Sequence, residues 1–167
     1  MATKTDFSTT EWETLRDAPH AVVLAVAAAG ASGLLGSIKE AMAPTGTLVE
    51  ALHGENQLLR QICDSEEIKA SIESLKDMAR SSGDFKSIQT FFRKAAIDKS
   101  RAGYDLLKHK GTPEDVAAFS NFLLKLGEKV AIAAKEGAFL GFGGERVSEE
   151  ERVILAELAQ ALDVLQA

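Results

Sequence analysis

Five glutamates crowd one glycine-rich stretch near the end of this chain. Glu136 precedes Gly137-Ala138-Phe139-Leu140-Gly141-Phe142-Gly143-Gly144, and Glu145, Glu149, Glu150 and Glu151 follow it. Carboxylate oxygens gathered from a loop and a helix start are the ligands that Ca and Mg prefer. Glu136, Glu149, Glu150 and Glu151 are therefore candidate metal ligands. Their spacing does not match an EF-hand, which needs alternating Asp or Asn and a glycine at fixed offsets. Acids in the first turn of a helix also offset its positive end with no metal present. The glycines let backbone amides approach an anion. However, the lysine and Ser or Thr of a P-loop are missing, and no strand precedes the loop. Phe139, Leu140 and Phe142 either complete the core or, with Gly143 and Gly144, present an apolar surface to another protein or a second copy.

Other reactive side chains do not gather. His20, His53 and His109 lie apart, with no two at helical spacing. Cys63 is the one cysteine, so it cannot close an internal disulfide; it reads as a core thiol and suits a reducing cytoplasm. No Gly-x-Ser-x-Gly elbow occurs, and no nucleophile, base and orienter stand together, so the expectation is a non-enzymatic protein. Between Phe85 and Lys110, Lys86, Arg93, Lys94, Lys99, Arg101, Lys108 and Lys110 oppose only Asp98 and Asp105. Within that run Lys94, Asp98, Arg101, Asp105 and Lys108 are spaced by three or four. They form one stripe of alternating sign, as a solvated helix face does. The net charge of −6 argues against nucleic acid as a partner.

The elements that must position these groups read as helices throughout. Prolines number three, alanine and leucine are abundant, and no run of alternating β-branched residues suggests a strand. Ser8 with Glu11 forms a capping box, and Phe7 with Trp12 a hydrophobic staple. A short helix is expected to end near Asp17. Asp17-Ala18-Pro19 then reads as a second start, running to about Ala29. Ser37 with Glu40 opens a third, which Pro44 kinks or ends. Thr47 to His53 and Glu55 to Cys63 are shorter pieces. Ser65 opens a helix with Ile68, Ile72, Leu75 and Ala79 on one face. Asp84 caps the longest helix, to Lys110, with a stripe of Ile88, Phe91, Phe92, Ala95, Ala102, Leu106 and Leu107. Thr112 and Pro113 restart the chain, and Phe119, Phe122, Leu123, Leu126, Val130 and Ala134 line the next helix. Ser148 opens the last, with Val153, Leu155, Leu158, Leu162 and Leu165 on its apolar side.

Two stretches repeat each other. Leu24-Ala25-Val26-Ala27-Ala28 runs into a glycine-rich turn, Gly30 to Gly36, and Val130-Ala131-Ile132-Ala133-Ala134 runs into Gly137 to Gly144. Alanine lets two backbones approach, so the repeat predicts a duplicated unit whose small-residue helices meet centrally. The expected architecture is all-α: one domain over 1–167, a bundle of seven or eight helices. Its related halves would span 8–60 and 112–167, joined by helices over 65–110. Ala21 to Ile38 is uncharged and about long enough to span a bilayer, on the order of 18 residues. Its small residues and glycines suit a buried helix ending in a loop better, so membrane contact is not expected. Met1 to Asp17 is polar and capped, so no secretory leader is read there.

Lys129-Val130-Ala131-Ile132-Ala133-Ala134-Lys135-Glu136-Gly137, then Val147-Ser148-Glu149-Glu150-Glu151-Arg152 and Leu155 to Leu162, resembles the TerB-like tellurite-resistance family, with the likeness strongest over 126–165. That resemblance implies an all-helical duplicated bundle and a role in cytoplasmic assemblies answering stress or envelope signals. The family's turn aspartates are implicated in divalent-metal binding, and Glu136 stands where the one before Gly137 would be. The leading expectation is an interaction or scaffold domain presenting Phe139 to Gly144. The alternatives are a metal-binding module around 136–151 and a small-ligand-binding bundle with a pocket between its halves.

Overall fold

Short polar signals start the helices. The Ser8 amide donates to Glu11 Oε2 at 2.8 Å and the Glu11 amide to Ser8 Oγ at 3.4 Å. Phe7 and Trp12 close the staple with ring centroids 6.4 Å apart. Asp84 accepts the Ser87 amide at 2.9 Å. Asn56 accepts the Leu59 amide at 3.0 Å and Asp64 the Glu66 amide at 2.9 Å. Each bond satisfies a donor that a helix start leaves without an intrahelical partner.

The computed structural model describes residues 1–29, 45–81, 83–137 and 147–164. Among these there is no strand. After a 3-10 turn (Lys4–Asp6) come α1 (Thr9–Ala29), α2 (Thr45–His53), α3 (Gln57–Ile62), α4 (Ser65–Arg80), α5 (Phe85–Lys110), α6 (Pro113–Gly137) and α7 (Glu149–Ala161). No described helix is long and apolar enough to cross a membrane. The predicted turn from Gly30 to Gly36, the Ser37 start and Pro44 fall outside the described residues.

α1 is one helix, not two, and Pro19 lies inside it. The predicted break at Asp17 fails because Asp17 does not cap anything. It is buried, and its carboxylate is taken by Arg16, Ser74 and Lys99. Packing on every side carries the proline through, although its ring removes one backbone donor. From Asp17 to Val23 every residue is buried. α1 is thus the axis, touching α4, α5, α6 and α7.

α5 runs antiparallel to α1: Lys99 meets Asp17, and Gln89 donates to the carbonyl of Ala28. Its buried line is Phe92, Ala96, Ser100, Gly103 and Leu107, whereas Ala102, expected on the apolar stripe, is exposed. Three small residues, Ala96, Ser100 and Gly103, hold the middle of that inner face. On α6, Phe119, Phe122, Leu123, Leu126 and Val130 are all buried, as their spacing predicts. The two helices that carry the alanine-rich segments, α1 and α6, pack against each other one turn before those segments. A Cβ on Gly127 would stand 3.4 Å from Val22 Cγ1.

α7 departs from expectation twice. Val153 is exposed and Ile154 takes the core position. The helix also stops at Ala161, before Leu162. The Asp163 amide donates to the Gln160 carbonyl at 3.2 Å and the Val164 amide to Ala159 at 3.0 Å. Asp163 has φ +50°. This is a Schellman turn with an aspartate in the left-handed position that glycine usually fills.

Candidate functional site

The predicted site divides. Glu151 is buried and closes the capping box of α7: its Oε2 accepts the Ser148 amide at 2.8 Å, and its own amide donates to Ser148 Oγ at 3.2 Å. Glu149 and Glu150 sit exposed on the same first turn, Glu149 3.7 Å from Arg152. The backbone of Glu136 lies in the last turn of α6, its side chain outside the described part, together with Phe139, Leu140, Phe142, Gly143 and Gly144. Among the described residues no three metal-ligating side chains gather.

The buried polar groups make a second constellation, which sequence reasoning missed. Asp17, 1% exposed, takes the Arg16 Nε at 2.8 Å, the Lys99 Nζ at 3.2 Å and the Ser74 hydroxyl at 3.3 Å. One turn along α1, His20 is 3% exposed and neither ring nitrogen has a hydrogen-bond partner. Burial pushes its pKa down to about 4; the Asp17 charge works the other way and Arg16 adds to the fall. Acid, histidine and serine therefore coexist without forming a catalytic relay, because Ser74 donates to Asp17 rather than to His20. The group acts as a fastener among α1, α4 and α5. A signal was available: Asp17 falls in helical register with Ala18, Ala21 and Val22, on a face otherwise apolar. Sequence reasoning also held, wrongly, that the chain has no Glu-x-x-His pair: Glu50 and His53 have that spacing of carboxylate metal sites. Glu50 instead pairs with Lys125, and that hydrogen bond lowers its pKa.

A third place combines room with unspent polar groups. α5 ends at Lys110, and Gly111 and Thr112 turn the chain straight into α6. Asp115 locks this corner. Its Oδ2 accepts the amides of Ala2 at 2.7 Å and Thr112 at 3.1 Å and the Thr112 hydroxyl at 3.1 Å, while Oδ1 accepts Asn56 at 3.1 Å. Burial raises the Asp115 carboxyl, but those donors together hold it below its ordinary value. The Schellman turn then brings Leu162 and Val164 over the same corner. Arg101 fastens it by donating to the Ala161 carbonyl at 3.3 Å and to Asp163 at 3.2 Å.

Between these parts lies a half-open cleft of about 470 Å³, a volume in the range of small-molecule sites. Pro113, Val116, Ala117, Leu162 and Val164 give it apolar walls, with Tyr104 beside them. Ser120 lines it too; it is 4% exposed and its hydroxyl has no partner. Lys108 stands at the rim with its Nζ 5.2 Å from the centre of the Tyr104 ring. Here the alternating-charge stripe breaks. Lys94 pairs with Asp98, and Arg101 takes both Asp105 at 3.1 Å and Asp163 at 3.2 Å. Lys108 is left with the ring and no carboxylate among the described residues.

A roomier groove of about 670 Å³ lies between α5 and α7. Its charges cancel internally, through Arg93 with Glu157 and Lys94 with Asp98. It offers a ligand little that its own side chains have not taken. Comparison with protein-family models, curated proteins and solved structures finds no match. The cleft's own chemistry is an apolar body with the Lys108 ammonium beside it: it can shelter an apolar molecule and offer one positive charge to its polar end.

Proposed function

We propose that this chain is a non-enzymatic helical module that binds a small organic molecule in the cleft between the end of α5, the start of α6 and the tail of α7. One observation carries this reading. Lys108, with no hydrogen-bonding or carboxylate partner among the described residues, lines an apolar cleft together with the similarly unpartnered Ser120.

The wider reading is a single cytoplasmic domain of two related halves, similar to TerB-like proteins. The approach of Val22 to Gly127 fits a core where two small-residue helices meet. The buried, free Cys63 fits a reducing compartment. Fragment mapping tests the ligand reading. A panel of small apolar molecules of differing charge is titrated into labelled protein, and amide shifts are followed. Shifts clustered at Tyr104, Val116 and Ser120 are expected. Shifts scattered over the surface, or absent at millimolar fragment, would refute it.

A second reading, contact with another protein, draws on the exposure of Ile132 (48%) and Val153 (38%). They flank the segment carrying Phe139, Leu140 and Phe142. Changing Phe139 and Phe142 to serine should then abolish partner capture or self-association and leave helicity intact. Loss of folding would instead make them core residues.

A further inference from the structure

We infer that the molecule taken by the cleft is a monocarboxylate with an apolar tail; the inference rests on the cleft being the ligand site. Charge decides the head group. Asp105 and Asp163, the acids nearest in sequence to the lining residues Tyr104, Leu162 and Val164, are both spent on Arg101. Asp115, below the floor, is held by Ala2, Thr112 and Asn56. Lys108 therefore brings a positive charge that no carboxylate pairs among the described residues, and one negative charge on the ligand neutralises it. A phosphate dianion would leave a charge unmatched beside apolar walls, which is costly. The walls decide the rest. Val116, Leu162 and Val164 offer nothing to a polar body, whereas an alkyl or aryl tail leaves water by lying against them.

Octanoate and 1-octanol separate charge from shape. Both are titrated into the full-length protein and its Lys108→Gln variant while cleft amide shifts are followed. Lys108 is exposed, so the variant keeps the fold. Octanoate should bind the unmodified protein more tightly than octanol. Lys108→Gln should weaken octanoate about tenfold, the usual size of a lost charge-assisted hydrogen bond, and leave octanol unchanged. Raised salt should weaken octanoate alone. Equal binding of both, untouched by Lys108→Gln, overturns the carboxylate inference and leaves the cleft as a ligand site. If neither compound shifts cleft resonances, both the inference and the reading beneath it fall.

Discussion

The ring of Phe119 lies against the bare backbone of Gly103. A Cβ added there would stand 2.9 Å from Phe119 Cζ and 3.0 Å from Cε1, with Leu15 Cδ2 at 3.3 Å. Both neighbours are fully buried, so neither can step aside. Gly127 makes a useful contrast. Its added Cβ would meet Leu155 Cδ2 at 2.8 Å, but Leu155 is only partly buried and its tip can turn away. Alanine gains about 1 kcal/mol over glycine within a helix. Overpacking a rigid core costs about 1–3 kcal/mol. Gly103→Ala should therefore destabilise the protein, and Gly127→Ala should be neutral or stabilising. Urea midpoints at constant m measure both. Equal losses at the two sites would contradict this account of the crossing.

Asp17 is the buried member of its cluster, and its partners are not equal. Arg16 and Lys99 keep side-chain exposures of 11% and 22%, against 2% for Asp17. Asp17→Ala leaves two cations facing each other in a part-buried pocket and should cost about 3–5 kcal/mol. Lys99→Met keeps the stem's packing and leaves Asp17 bound to Arg16 and Ser74, so its cost should stay below about 1 kcal/mol. Chemical denaturation separates them, and a larger loss for Lys99→Met would refute the ranking.

His20 ties stability to pH. Its folded pKa, about 4, lies below its ordinary 6.5 because burial penalises the charged ring. The unfolded chain therefore binds the proton first as pH falls. The stability held by the neutral ring is complete above pH 6.5 and is lost as pH drops toward 4. The full loss is on the order of 3 kcal/mol, at about 1.4 kcal/mol per pKa unit. In His20→Leu the loss between pH 6.5 and 4.5 should shrink. Parallel curves for the two proteins in that window would show that His20 is not the group responsible.

Cys63 should be chemically silent. It is 2% exposed, and burial pushes its thiol pKa up to about 12. The thiolate is the reactive form. A disulfide reagent at pH 8 should label the native protein only at its unfolding rate, and the denatured protein at once. Fast labelling of the native state would place the thiol at the surface.

Much of the fold was legible, because caps and apolar spacing act locally. Ser8, Asp84 and Ser148 start helices where their types predict, and the α6 stripe from Phe119 to Val130 is buried as spaced. Long-range packing hid the rest. Pro19 reads as a helix start by local rules and is overruled by the core around α1. Ser100 and Gly103 hold an inner face, where the closeness of neighbouring helices matters more than hydrophobicity. The cleft was not legible at all. Tyr104 and Lys108 are joined to Leu162 and Val164 only by the tertiary fold and the turn at Asp163. Lys108 reads as one more charge in a solvated stripe until Arg101 is seen to hold both neighbouring acids.

The most direct test fills the cleft from within. Ala117 lines it, yet is exposed, so Ala117→Trp should occupy the space without disturbing the core. Octanoate binding is measured by calorimetry on the unmodified protein and on this variant, with matched circular dichroism and thermal melts. The expected result is an unchanged fold and loss of measurable binding. Undiminished binding to a folded Ala117→Trp protein would show that the ligand sits elsewhere.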